Sequence, residues 1–281
     1  MGRDHRGRHA DRMARLAGCA FAALLSLTMA ATHAATVIDD SGAQVTLSQP
    51  AGRIVTLSPH ATDLVVAAGA ADRLVAVAAF SELPPRWQHL PRVGGAGAID
   101  REALSAWKPD LVVAWPSGNR PNDIAWLRKS GIPLFASEPA ELQRIADAIR
   151  AIGKLSDTSA VAEAAADAFE AGLAVPCRNL DLRPAYVIVW DQPAMTVGGR
   201  HWLNEVLALA GFVNTMGRVD LGVFAVSTEA AMAKSEAQPI SLMRRFDDSE
   251  ADSLANLLSR PGPRLVEAVQ RLCMLRQQQA D

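Results

Sequence analysis

Tyrosine occurs once in 281 residues, cysteine three times, and aromatic residues of all kinds make up 5% of the chain. No Cys-x-x-Cys is present, which removes the usual dithiol redox centre and zinc ribbon. His60, His89 and His201 are scattered without the i, i+4 pairing of a helical metal site. Gly94-Gly95-Ala96-Gly97 lacks the third glycine and the strand-to-helix context of a dinucleotide fingerprint. Ser117 follows an apolar run, but Trp115 and Asn119 stand where a nucleophile elbow needs glycines. A small exported enzyme is therefore only a remote alternative. Charge of one sign is also missing, since the formal net charge is -2. Five arginines and two aspartates precede the first apolar run, which leaves the remainder mildly acidic and without the basic face that a nucleic acid requires.

No apolar run is long enough to span a bilayer. The longest, Leu16 to Ala31, has about 16 residues against the ~20 needed. It follows the arginines and ends in Thr32-His33-Ala34, so residues 1–34 read as a secretory signal, with Met13 a second plausible start. The rival lipoprotein pattern, Leu16-Ala17-Gly18-Cys19, sits at the wrong end of the run. Export makes a bridge between Cys177 and Cys273 possible, and two unpaired buried thiols equally so.

What is present is α/β. After two short strands around Asp40-Ser41-Gly42, the runs Arg53 to Leu57, Leu74 to Phe80, Asp110 to Trp115 and Pro133 to Ala136 are apolar without alternation, as in parallel strands covered on both faces. Helices are expected over Ala61 to Ala68, from an Asp100 cap through Trp107, over Asn122 to Ser130, and over Glu138 to Ile152. Residues 35–156 form a first lobe. Residues 157–176 are expected to form one connecting helix, because Asp157 to Val175 carries eight alanines and ends before Pro176. Such a helix would run roughly 28 Å, burying Val161, Ala165, Ala168, Gly172, Phe169 and Leu173 and wetting Glu163, Asp167 and Glu170. Residues 177–281 repeat the plan less regularly: strand Ala185 to Trp190, loop Asp191 to Arg200, helix Trp202 to Ala210, a helical Thr228 to Lys234, a strand from Pro239, and a helix over Pro263 to Gln277.

Phe80, Trp115 and Trp190 each end an expected strand, and in open α/β sheets ligands collect at those carboxyl ends. Two lobes facing each other would place these aromatics along a cleft suited to a large, partly apolar ligand.

The segments Leu57-Ser58-Pro59-His60-Ala61-Thr62-Asp63-Leu64, Lys108 to Trp115 with Ser117-Gly118-Asn119, Thr196-Val197-Gly198-Gly199, and Arg260-Pro261-Gly262-Pro263-Arg264-Leu265 resemble the periplasmic cobalamin-binding proteins of ABC importers. These belong to the class of helical-backbone metal-chelate receptors, and the resemblance covers nearly all of residues 36–275. It implies two α/β lobes joined by one long rigid helix, a ligand cleft between them, no cofactor of the protein's own, and a monomer that delivers cobalamin or a related corrinoid from the periplasm to an inner-membrane ABC permease. The implied ligand contacts are Pro59, His60, Phe80, Ser81, Ala96, Gly97, Trp115, Asn119, Trp190, Asp191, Gly199 and Arg200. Glu102 matches the acid that docks on the permease. Ala96 stands where a relative can carry tryptophan, and Ser259 where the second docking acid is expected, with Glu250 or Asp252 as substitutes. A ferric siderophore or haem is the alternative ligand. Siderophores would want cations such as Arg120 and Arg200, and haem an axial ligand that Tyr186, opening a strand, hardly provides.

Overall fold

The first half is built on a parallel sheet of β3 (Ile54–Thr56), β4 (Leu74–Ala78), β5 (Arg92–Val93), β6 (Leu111–Ala114) and β7 (Leu134–Ala136), in the order β5-β4-β3-β6-β7. A computed structural model supplies these coordinates and describes residues 34–93, 98–174, 176–233, 236–243 and 253–278. The expected leader, residues 1–34, lies outside them except for Ala34, as do Ala96, Gly97, Glu250 and Asp252.

Every residue of β6 is buried, because the sheet is covered on both faces. On one side Leu64 and Val65 of α1 (Pro59–Ala67) and Ile145 and Ile149 of α4 (Leu142–Leu155) pack over Ile54, Leu111 and Val113. On the other, Leu104 of α2 (Arg101–Ala106) and Ile124 and Leu127 of α3 (Pro121–Ser130) pack over Val55, Val112 and Ala114. The sheet's period of two thus sorts adjacent residues into two apolar layers. Ser58 and Asp100 cap α1 and α2 by accepting the amides of Ala61 and Ala103. An antiparallel hairpin, β1 (Ala35–Ile38) with β2 (Gln44–Leu47), precedes the sheet.

The expected connecting helix is shorter than its alanines suggest. Asp157 takes a left-handed φ of 53°, so α5 runs over Ser159–Gly172 and the chain then passes into a 3-10 turn at Pro176–Asn179. Its buried residues are Ala162, Ala166 and Phe169, one position away from much of the expected stripe, whereas Val161 is 54% exposed. The reason is Gly153 on α4: a Cβ there would lie 2.1 Å from Ala162 Cβ, so the two helices meet where both side chains are smallest. The acidic face is wet as expected, and Glu163, Asp167 and Glu170 all engage Arg150 of α4.

In the second half β8 (Arg183–Ile188) is flanked by parallel β11 (Phe212–Asn214) and β13 (Gln238–Ser241). The expected loop after Trp190 holds β9 (Trp190–Asp191) and β10 (Ala194–Val197), which with β12 (Val223–Ala225) make a small antiparallel sheet. Helices α6 (Leu203–Leu209), α7 (Thr228–Met232), α8 (Leu254–Leu258) and α9 (Leu265–Gln278) complete the described chain. Between Ala237 and Ser259 the described residues contribute β13 and α8. Cys177 and Cys273 are bonded, with Cα atoms 5.6 Å apart.

Both halves belong to one compact unit. A single apolar cluster takes Leu64 and Ile149 from the first half, Phe169 from α5, and Leu207, Phe212 and Leu272 from the second. Two α/β lobes that share a core of this kind have little freedom to move independently.

Candidate functional site

A cleft of about 530 Å³ opens between the halves. Trp115, Ser117, Glu138, Pro139 and Ala140 line it from the first; Arg200, His201, Trp202, Gly222, Val223 and Pro261 line it from the second. The first wall consists of residues just past the ends of β6 and β7, where a parallel sheet exposes its ligand-collecting edge.

Trp115 is fixed from several directions. Its Nε1 donates to Glu138 Oε1 (2.8 Å), its backbone amide to Asn119 Oδ1 (2.9 Å), and Asn119 Nδ2 in turn donates to Leu57 O (2.9 Å). Gly118 lies against the ring so closely that a Cβ would stand 1.9 Å from Cε3. His60 meets the indole edge-on at 5.4 Å. Glu138 also accepts from the amide and hydroxyl of Ser117 (2.8 and 2.7 Å), and its own amide donates to Asp40 Oδ2 (2.8 Å). The N-terminal hairpin thereby braces the cleft. Burial pulls the Asp40 carboxyl above the usual range, and this outweighs its bonds to Glu138 and Arg144.

The second wall is His201 and Trp202, whose rings stack at 5.0 Å with a 34° tilt. Leu203 N donates to His201 Nδ1 (3.2 Å). Burial lowers the His201 pKa to about 4, so the ring is neutral near pH 7. Arg200 reaches back to Asp220, at 3.2 Å from the carboxylate and 2.9 Å from the carbonyl.

The expected contacts fall into three groups. Trp115 and Arg200 line the cleft. Pro59, His60 and Asn119 sit at or behind the first wall, where His60 is 2% exposed, bonded to Ser58 and Ser137 and lowered to about 4 by burial; Ser81 is buried against Thr62. Ala96 and Gly97 lie outside the described residues, and the remaining four, Phe80, Trp190, Asp191 and Gly199, are exposed elsewhere. Phe80 holds a left-handed φ of 62° and is 76% exposed, with its carbonyl 3.3 Å from Arg260. Trp190 and Asp191 line a separate recess of about 340 Å³ with Met195 and Met232. Gly199 packs against the backbone of Gly217. Glu102 is exposed in the first turn of α2. Ser117, Glu138, His201 and Trp202 are cleft residues outside the expected set, and for Glu138 the available signal was its place directly after a parallel strand.

Across the seam between the halves, Glu82 accepts from Asn256 Nδ2 (2.9 Å), Arg260 Nη2 (3.1 Å) and Arg264 Nη1 (2.8 Å). Partial burial raises its pKa, and these three donors more than offset it, leaving the carboxyl below the usual range. A second link is made where Glu205 Oε2 of α6 accepts from Leu142 N at the start of α4 (3.0 Å). Among the described residues no group of three or more acidic, histidine or cysteine side chains is placed to hold a metal.

Paired α/β lobes, a cleft between them at the strand ends of the first, and aromatic walls from both sides define a substrate-binding protein. The periplasmic binding protein family model matches residues 54–271, and the chain belongs to that family. The vitamin B12-binding protein of Vibrio cholerae serotype O1 is 33% identical over 250 residues, covering 80% of this chain and 88% of its own. That of Yersinia pestis (strain Pestoides F) is 29% identical, with 80% and 86% covered. The crystal structure of the periplasmic vitamin B12-binding protein BtuF of Vibrio cholerae matches with a TM-score of 0.70 at 30% identity, over 80% of this chain and 96% of that one. The periplasmic haem-binding protein HutB of the same species, at 20% identity and a TM-score of 0.64 over 79% and 98%, shares the fold.

Proposed function

We propose that this chain is an exported receptor that captures cobalamin or a related corrinoid in the cleft and hands it to an ABC permease, without catalysing a reaction. The observation that carries this reading is a cleft walled by a fixed Trp115 on one lobe and by Trp202 on the other, in a chain whose relatives are vitamin B12-binding proteins. Flat apolar walls suit a macrocycle, and a few placed polar groups suit its amide-bearing edge. In this reading Trp115 and Arg200 touch the ligand, Pro59, His60 and Asn119 support the wall, Ser81 is buried against Thr62, and Phe80, Trp190, Asp191 and Gly199 stand at or beyond the wall's rim. Glu102 is the docking charge, exposed where a helix end favours a carboxylate.

Haem is the weaker reading. Tyr186 is 8% exposed within β8 and His60 is enclosed behind Trp115, so neither lines the cleft, while His201, the histidine that does, has Nδ1 turned onto the Leu203 amide. Anionic siderophores are also less well served, because Arg200, the one cation among the described residues lining the cleft, is already answered by Asp220.

The test is direct. Protein lacking residues 1–34 is titrated with cyanocobalamin, haem and a ferric siderophore by calorimetry and absorption. Cobalamin is expected to bind with Kd below about 1 µM, roughly -8 kcal/mol. Binding of haem or siderophore in its place overturns the reading.

A further inference from the structure

The polar groups of the cleft differ in how far they are already committed. Three donors occupy the two oxygens of Glu138: the Trp115 indole, and the amide and hydroxyl of Ser117. Arg200 is matched by Asp220. His201 is different. Its Nδ1 accepts from the Leu203 amide, and an accepting ring nitrogen carries no proton, so in the neutral ring the proton sits on Nε2. The two nitrogens point away from each other across the ring; with Nδ1 turned onto its own chain, the Nε2 edge faces away from that backbone. Among the described residues no hydrogen bond engages Nε2. Stacking on Trp202 holds the ring plane.

We infer that His201 is a specificity residue of the cleft, presenting a fixed, uncharged Nε2–H donor to a carbonyl oxygen on the periphery of an uncharged, amide-bearing ligand. The inference rests on the corrinoid reading above. With Glu138 and Arg200 both answered, the described residues of the cleft offer no unpaired charge for a carboxylate or cation, and a neutral donor matches a neutral acceptor. The same tautomer argues against His201 as a metal ligand, since coordination through Nε2 requires the lone pair that the proton occupies. Burial keeps the ring neutral down to about pH 4, with Glu138 and Arg200 the charged groups lining the same cleft.

The experiment uses the mature chain with cyanocobalamin as probe, titrated by calorimetry from pH 5 to 8. Removing the donor in His201→Phe is expected to weaken binding about tenfold, the usual scale for one hydrogen bond with its partner left unsatisfied. His201→Gln, which restores a side-chain N–H, is expected to recover part of that loss. Parental affinity should stay flat across the pH range, because an unshifted histidine would instead show a midpoint near pH 6.5. Parental affinity in His201→Phe, or a midpoint near 6.5 present in the parent and absent from His201→Phe, overturns the inference while leaving the corrinoid reading intact. A histidine-dependent change in the cobalt absorption spectrum overturns it in favour of coordination. If no corrinoid binds the parent, it is the broader reading that fails.

Discussion

The indole of Trp115 owes its direction to groups that lie behind the cleft rather than in it. Glu138 holds the ring nitrogen and the Ser117 turn together, and Asp40 holds the Glu138 backbone. Replacing Glu138 with alanine leaves the indole N–H and the Ser117 amide without partners. Each such loss costs about 1–3 kcal/mol when the group stays buried. Cobalamin affinity in Glu138→Ala is expected to fall roughly tenfold to a hundredfold, and in Glu138→Gln by less, since an amide oxygen still accepts. Calorimetry decides it; unchanged affinity in Glu138→Ala would show that Trp115 needs no such brace. At this scale the sequence disclosed Trp115 and Arg200 but not Glu138. The sequence pattern starts a helix at Glu138, whereas Pro139 biases that residue to extended backbone and α4 begins only at Leu142, so its carboxylate is free to turn onto the wall. His201 and Trp202 were hidden by a different cause. The family motif at Thr196 to Gly199 leads the sequence to Gly199 and Arg200, but the two short strands before it give no local pattern that extends the wall to the next two residues.

Among the elements, the helix pair α4 and α5 was legible in existence but not in facing. Alanine favours a helix strongly yet carries no information about which side is buried. Contact with Gly153 decided that, and Val161 was pushed outward to lie over Gly69. Arg150 then staples the wet side by bonding Glu163, Asp167 and Glu170, which hold its guanidinium firmly protonated. Strands β9, β11 and β12 span two or three residues each, too few for a period of two to emerge from sequence. The second lobe depends accordingly on cross-links between elements. Cys177 in the turn Pro176–Asn179 is bonded to Cys273 on α9 across a separation of 96 residues. A loop of that length contributes on the order of 4 kcal/mol in the chain-entropy account. The double substitution Cys177→Ala with Cys273→Ala is expected to lower denaturant stability by about that amount and to leave cobalamin affinity nearly unchanged, because neither residue lines the cleft. Mass spectrometry of the unreduced exported chain checks the premise, and two free thiols would remove it.

Over the whole molecule, the shared apolar core joins the lobes on one side and the Glu82 seam joins them on another, so the cleft behaves as a preformed groove. The sequence announced the two lobes and missed the seam, because Glu82 meets Asn256, Arg260 and Arg264 across 174 to 182 positions of chain. Beside it, Asp63 of α1 shares a recess of about 360 Å³ with Glu82, Pro263 and Arg264. Burial raises the Asp63 pKa to about 7 even though Arg260 and Arg264 pull it down, with Glu82 adding to the rise. The sign of the consequence follows from linkage. Between pH 4 and 7 the folded protein keeps a proton on Asp63 that the unfolded chain, at its ordinary value near 3.8, has released. Stability contributed by this site must therefore fall as pH rises through that window, with a slope of at most about 1.4 kcal/mol per pH unit. Above pH 7 the cost of the ionised carboxylate is present in full. Glu82 acts with the opposite sign and at lower pH, because its carboxyl is held down, so its stabilisation is lost only on acidification below the ordinary glutamate range. Asp63→Asn isolates the first effect by keeping the shape and removing the titration. We expect the variant to match the parent below about pH 4, to exceed its stability increasingly from pH 4 to 7, and to hold a constant advantage above pH 7, measured by urea unfolding at each pH. Parallel profiles across the range would mean that Asp63 stays ionised beside its two arginines.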